Sequence, residues 1–121
     1  MAHQVREREG YADRVTLLTT TQESGGELVR FEYRAREITA PPPEHKHDDL
    51  DERIEVLEGR LCCTLAGKLR VLEAGEALAI PRGVLHTLWN DSPEGSRSLG
   101  EFRPAGDMQR LLELAFPIAQ E

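Results

Sequence analysis

Three histidines and one glutamate of this chain have the residue types and the spacing that a metal site needs. His45 and His47 are two positions apart, so on an extended strand both imidazoles point to the same side. Glu52 supplies a carboxylate on the next predicted β segment, and His86 follows it after 34 positions. Imidazole nitrogens combined with a carboxylate oxygen favour iron, manganese, nickel, zinc or copper over calcium or magnesium. Together, these four side chains would suit one divalent transition metal.

Each of these residues also has an ordinary structural explanation. A lone His-x-His pair on a surface strand is usually only polar surface. His86 follows Gly83-Val84-Leu85 and could equally be a hydrogen-bonded core histidine, while Glu52 lies in a stretch rich in acidic residues and could be one more solvated charge. The metal hypothesis therefore depends on finding the four residues together.

Short β-strands are predicted to position these side chains. In residues 28–36, Val29, Phe31, Tyr33 and Ala35 alternate with charged residues, which is typical of a half-buried strand. Residues 41–43 are three prolines without a backbone N–H, so we expect sheet pairing to lapse there. Further strands are predicted at about 14–20, 44–47, 52–58, 61–65, 69–72, 77–80, 85–89 and 98–103.

One helix is predicted, at about residues 107–116. Its apolar residues Met108, Leu111, Leu112 and Ala115 lie close to one stripe, with Asp107 as a plausible N-cap. Many short strands with Gly and Pro between them, followed by this helix, predict an all-β sandwich or barrel.

The length and charge of the chain exclude several classes of protein. A length of 121 residues suits one domain, and we expect residues 14–121 to form it, with residues 1–13 as an N-terminal arm or edge strand. The net charge is −7 and there is no basic cluster, so we expect no nucleic-acid partner. No apolar run approaches the ~20 residues of a membrane span, so we expect no membrane association. The charged residues 1–9 also lack the apolar core of a signal peptide.

The two cysteines, Cys62 and Cys63, are adjacent, and neighbouring residues on a strand point to opposite faces. This arrangement argues against a disulfide scaffold and favours a reducing compartment. We therefore expect a cytoplasmic protein.

The histidines and the glutamate belong to a longer pattern that resembles the two motifs of the cupin family. Motif one, residues 45–59, has His-x-His, four residues, Glu, six residues and Gly. Motif two, residues 75–90, has Gly, five residues, Pro-x-Gly, two residues, His, three residues and Asn. The matching positions are His45, His47, Glu52, Gly59, Gly75, Pro81, Gly83, His86 and Asn90. Thr39 stands where the family usually has another Gly, and we expect the proline run to shape the chain there.

The resemblance implies a jelly-roll barrel of two antiparallel sheets with a short C-terminal helix and a metal near one mouth. It implies that the metal ligands are His45, His47, Glu52 and His86. Such a site leaves room for water, dioxygen or a chelating substrate, and Glu52 could also act catalytically as a proton acceptor. Our first hypothesis is a metal-dependent, dioxygenase-like enzyme acting on a small organic molecule. The alternatives are a non-catalytic protein that binds or senses a metal and a small ligand, and a metal-dependent isomerase or lyase.

Inward-facing strand positions are expected to form the walls of a pocket, although core packing is the commoner role of such residues. The predicted pocket residues are Phe31, Tyr33, Ile54, Val56, Leu88 and Phe102. Because most of them are apolar, we expect a largely apolar small-molecule ligand. Trp89 has the opposite parity to His86 and is expected to pack against another layer. Family habit and the apolar, outward-parity Leu18 and Leu57 favour a homodimer.

Overall fold

The computed structural model describes residues 5–7 and 14–115, and within these ranges the chain forms antiparallel strands followed by one helix. No helix in this part of the chain is long and apolar enough to cross a membrane. The elements are β1 (Val5–Glu7), β2 (Arg14–Thr19), β3 (Val29–Ala35), β4 (Asp51–Glu58), β5 (Arg60–Leu65), β6 (Lys68–Glu73), β7 (Ala77–Ile80), β8 (His86–Asn90), β9 (Ser96–Arg103) and α1 (Met108–Ala115).

The strands form two sheets. The larger sheet has the order β1-β2-β3-β9-β4-β7, and the smaller one has the order β6-β5-β8. Every pairing is antiparallel. The predicted all-β class, with two antiparallel sheets and a short C-terminal helix, is confirmed. Inward-facing residues alternate with polar ones, so the two sheets bury a core between them.

The prediction of a strand at 44–47 is wrong. This segment has only an isolated bridge, in which the backbone N–H groups of His45 and His86 each donate to the other residue's carbonyl, at 2.9 and 2.8 Å. Three prolines precede it and cannot donate ladder hydrogen bonds, so the segment meets β8 at separated points instead. Helix α1 begins at Met108, one residue later than predicted, and residue 116 lies outside the described residues. Much of the predicted N-terminal arm, residues 1–4 and 8–13, also lies outside them.

Within residues 14–115, the core consists of two hydrophobic clusters. The first contains Val15, Leu17, Val29, Phe31, Leu50, Phe102, Ala105 and Met108. The second contains Ile54, Val56, Leu61, Cys63, Leu72, Leu78 and Ile80. Glu52 lies at their boundary, because its register partners are Phe102 on β9 and Ile80 on β7. A carboxylate is therefore held where the two apolar clusters meet.

Gly59, at the end of motif one, can only be glycine. Its φ is +73°, and a Cβ there would collide with the carbonyl oxygen of Gly95. Both the left-handed backbone and the close approach of another chain segment require the absence of a side chain. This turn carries the chain from β4, in the larger sheet, to β5, in the smaller one.

The apolar surface differs from the sequence expectation. Leu18 and Leu57, which parity placed outside, are only half-exposed. The large apolar side chains that are exposed are Ile38, Leu69, Val71, Leu85, Leu111 and Leu114. Both cysteines are buried free thiols, and Cys63 is the more buried and belongs to the second cluster.

Candidate metal centre

Hydrogen bonds between the two motifs bring the histidines together. The reciprocal backbone bonds of His45 and His86 join the segment after the prolines to the start of β8. The N–H of Gly83 donates to the carbonyl of His47 at 2.7 Å, and the hydroxyl of Thr87 donates to the carbonyl of Pro42 at 2.9 Å. The segment from Pro42 to His47 is therefore held against motif two at several points. This places the imidazoles of His45 and His47 close to His86.

The three imidazoles form one cluster. Each offers a ligand nitrogen, and these three nitrogens lie within 4.8 Å of one another. Nitrogens bound to one metal are about 3–4 Å apart, because each metal–nitrogen bond is about 2.1 Å long. Small side-chain shifts would therefore bring them into a coordination sphere. The cluster runs from exposed His45 through half-buried His47 to buried His86, so solvent reaches it from one side.

Glu52 lies beside the three histidines, on the interior side of the cluster. Its Oε1 lies 3.1 Å from Nε2 of His86 and 3.4 Å from Nε2 of His47, and the residue is only 7% exposed. Burial acts to raise the pKa of Glu52, but hydrogen bonds from His47 and His86 outweigh it and keep this pKa below its usual value. The carboxylate is therefore ionised at neutral pH and can serve as an oxygen ligand.

The histidine hydrogen bonds leave the correct nitrogens for a metal. Nδ1 of His86 lies 2.9 Å from the carbonyl of Val84, and Nδ1 of His45 lies 3.3 Å from the carbonyl of Pro43. A carbonyl only accepts, so Nδ1 carries the proton in both rings and Nε2 remains for coordination. Burial also lowers the pKa of His45, which favours its neutral, ligating form.

The Nε2 atom of His86 lies where a metal ion could bind. This atom faces the carboxylate of Glu52, which also only accepts, so a proton on Nε2 would be hydrogen-bonded there. Burial opposes the charge, but the hydrogen bond from His86 to Glu52 outweighs it and raises the pKa of His86. A cation at Nε2 can take the place of that proton, so the donor set fits a divalent transition metal.

Two adjoining cavities open beside the cluster. We call the first, of about 350 Å³, the histidine cavity; it is lined by Pro42, His45, His47, Glu52, Thr87, Leu88, Phe102, Met108, Leu111, Leu112 and Ala115. We call the second, of about 470 Å³, the barrel chamber; it is lined by Val15, Phe31, Tyr33, Thr39, Ala40, Pro42, Glu52, Ile54, Leu61, Leu88, Trp89, Ser98 and Leu112. Both volumes lie in the range of small-molecule sites.

The predicted pocket residues divide between these cavities. Phe31, Tyr33 and Ile54 line the barrel chamber, Phe102 lines the histidine cavity, and Leu88 lines both. Phe102 stacks on Phe31 with ring centroids 5.4 Å apart, and it contacts His47 edge-on at 5.6 Å. An aromatic wall therefore leads from the chamber to the metal ligands.

Val56 is the predicted pocket residue that lines neither of these two cavities. Val56 lies further along β4 than Ile54, and its side chain is fully buried in the second cluster. The backbone N–H of Gly75 donates to its carbonyl there. Sequence reasoning also missed some lining residues. Trp89 lines the chamber despite its outward parity, and helix α1 contributes four residues to the histidine cavity. The apolar stripe of the helix showed in the sequence that one face would be buried. The sequence did not show that this face would cover the histidine cavity.

Asn90, the last residue of motif two, has a structural role. It is fully buried, and its Nδ2 donates to the carbonyls of Glu37 and Ser92 at 2.8 and 3.0 Å. Its Oδ1 accepts the N–H of Ser92 at 3.1 Å. Asn90 thus ties the end of β8 to the segment that leads to Thr39 and the prolines, and it does not line either cavity.

Comparison with known proteins decides the family. The family model described as a cupin domain matches residues 29–99. The chain belongs to the cupin family. No curated protein matches this cupin significantly by sequence.

Solved structures show the same fold. KdgF from Halomonas sp. is 21% identical, with a TM-score of 0.72 over 88% of this cupin and 91% of that chain. An RmlC-like cupin from Shewanella frigidimarina is 22% identical, with a TM-score of 0.71 over 88% of each chain. A recombinant oxalate oxidase in complex with glycolate is 23% identical, with a TM-score of 0.62 over 78% of this cupin and 52% of that chain.

Proposed function

We propose that this cupin is a metal-dependent enzyme that acts on a small, largely apolar organic molecule, with dioxygenase-like chemistry. One observation carries the proposal: a cluster of three histidines and a buried, ionised glutamate opens onto apolar cavities large enough for a ligand. Among the described residues that line the two cavities, none is Lys or Arg, which favours a substrate without a phosphate group.

The proposed ligands are His45, His47, His86 and Glu52. A bound Fe, Mn, Ni, Zn or Cu ion would polarise a substrate oxygen and, if redox-active, would support reaction with dioxygen. His45 and His86 contribute rings whose Nδ1 protons are already held by backbone carbonyls, so their orientation is preset. One of the structural neighbours is an oxalate oxidase, so a barrel of this fold carries oxidase chemistry in another protein.

Glu52 is the proposed catalytic residue. Its ionised carboxylate can accept a proton from a substrate group held beside the cluster. Leu88, Phe102 and Leu112 surround this position with apolar side chains, and a less polar environment strengthens electrostatic interactions.

The test begins with elemental analysis of the purified protein and continues in an oxygen electrode with metal-loaded protein and a panel of β-diketones and catechols. We expect about one metal per chain and oxygen consumption with at least one compound. His45→Ala and His86→Ala should abolish both the metal content and the turnover, whereas His3→Ala, which removes the fourth histidine of the chain, should retain them.

The other hypotheses make different predictions in the same experiment. Bound metal without turnover under any condition would favour a binding or sensing protein. Turnover without oxygen, in the zinc or nickel form, would favour an isomerase or lyase. Failure to take up any metal would contradict the ligand assignment itself.

We also propose that this cupin is a cytoplasmic homodimer. Leu69 and Val71 are 65% and 47% exposed on β6, which lies at the edge of the smaller sheet, and a second copy could cover them. The free thiols of Cys62 and Cys63 are consistent with a reducing compartment. Light scattering after size-exclusion chromatography should give twice the chain mass of 13.6 kDa, and a mass equal to one chain would contradict the dimer.

A further inference from the structure

The histidine cavity and the barrel chamber adjoin at a boundary that we call the neck. Four residues line both cavities, and we define the neck by them: Pro42, Glu52, Leu88 and Leu112. Leu88 comes from β8, and Leu112 comes from α1. A molecule that occupied both spaces would have to cross the boundary that these side chains line.

The two spaces have different chemistry. The histidine cavity contains the nitrogen cluster, which binds a chelating oxygen head through its metal. The walls of the barrel chamber are mostly apolar, with Tyr33, Thr39 and Ser98 as the residues that carry hydroxyl groups. Its only charged wall residue is Glu52 in the neck. The chamber therefore suits an uncharged aliphatic or aromatic group and rejects a second charge, which would be buried without a partner.

We propose that the substrate is amphipathic: its oxygen head chelates the metal, and its uncharged apolar tail passes between Leu88 and Leu112 into the barrel chamber. This inference rests on the proposed metal site and names the class of molecule that the site accepts. The chamber, at about 470 Å³, is larger than the space around the histidines, at about 350 Å³. The tail is therefore the part that provides most of the apolar contact area, and the neck selects its width.

Contacts with the rest of the fold fix helix α1 in position, so its side chains can select the width of the substrate tail. Met108 is buried in the first core cluster, and the side-chain oxygen of Gln109 accepts the N–H of Thr21 at 2.8 Å. Just before the helix, the N–H of Ala105 donates to the carbonyl of Gly26 at 3.1 Å. These contacts place Leu112 over both cavities, whereas Leu114, which is 69% exposed, lines neither.

The experiment measures binding rather than turnover. Zinc-loaded protein is titrated calorimetrically with the hydroxamic acids of two, four, six and eight carbons, which share one chelating head and differ only in tail length. We expect the affinity to rise about fourfold with each methylene until the chamber is filled, because burial of a methylene contributes roughly that factor. Hydroxamic acids whose tail ends in a carboxylate should show no increase in affinity as the tail lengthens.

Neck variants locate the tail. Leu112→Trp should lose most of the added affinity for the longer tails, so that the affinity ratio of the eight-carbon to the two-carbon hydroxamate falls well below that of the wild type. If the helix variant does not fold, Leu88→Phe replaces it. This variant enlarges the neck residue on β8 and should have the same effect on the affinity ratio. Leu114→Trp is the matched control on the same helix, and it should behave as the wild type.

The outcomes separate this inference from the proposed function. Metal uptake and two-carbon binding without any dependence on tail length would overturn the amphipathic substrate while leaving the metal site in place. Tail-length dependence that survives in a folded neck variant would also overturn it. Absence of metal uptake, or of any hydroxamate binding by metal-loaded protein, would instead overturn the proposed function.

Discussion

Replacement of Asn90 by alanine should destabilise the protein strongly, although Asn90 does not contact either cavity. The side chain is fully buried and makes three hydrogen bonds to backbone atoms of Glu37 and Ser92, at 2.8, 3.0 and 3.1 Å. Each such bond contributes about 1 kcal/mol, so the free energy of unfolding should fall by about 3 kcal/mol. For a chain of this size, Tm should fall by about 12 °C, at about 4 °C per kcal/mol.

The assay is urea and thermal unfolding followed by circular dichroism, with metal content as a second readout. Gln109→Ala is the calibrating control, because the Gln109 side chain accepts one backbone bond, from Thr21, and its loss should cost about 1 kcal/mol. The metal content of folded Asn90→Ala protein should equal that of the wild type, since Asn90 offers no ligand atom to the cluster. If Asn90→Ala costs no more than Gln109→Ala, the assigned role of this motif residue is refuted.

Three further predictions concern the backbone, the thiols and the surface charges. Gly59→Ala should destabilise far more than Gly67→Ala, because both residues have positive φ but only at Gly59 would a Cβ meet neighbouring backbone; equal losses in urea unfolding would contradict this. Burial, and after it the charge of Glu52, raises the pKa of Cys63 to about 11, so this thiol should resist alkylation at pH 8 and react once urea unfolds the chain, as mass spectrometry would show. A hydrogen bond from Arg97 lowers the pKa of Glu58, so the pair stabilises the fold above the ordinary glutamate pKa and ceases to do so as pH falls through the lowered value. Arg97→Gln should therefore be less stable than the wild type at pH 7, and this difference should shrink on acidification and in 1 M salt; a difference independent of pH would refute it.

The positions of the site residues followed from local rules that the sequence displays. Residues two apart share a face, so His45 and His47 were predicted to point together, and the structure places them in one cluster with His86. Gly59 ends the first motif in the sequence, and it occupies a turn that only glycine permits. These features depend on a few neighbouring residues, and a linear pattern is sufficient to show them.

Other features depended on how distant segments meet. The alternation on β4 predicted that Ile54 and Val56 share a face, but only the packing of the two sheets places Ile54 beside the chamber and Val56 in the closed core. The segment at 44–47 was predicted to be a strand, yet the prolines before it reduce its pairing with β8 to one bridge.

The sequence by itself determined most of the strand pattern, the candidate ligand residues and the turns, because periodicity, imidazole and carboxylate chemistry, and glycine and proline backbone limits are local properties. Only the tertiary structure decided that Glu52 lies at the boundary of two apolar clusters, and that α1 brings Leu112 to the two cavities that Leu88 also lines. Those arrangements arise from contacts between residues far apart in the chain. Their geometry depends on the packing of whole sheets and a helix, which no short stretch of sequence contains.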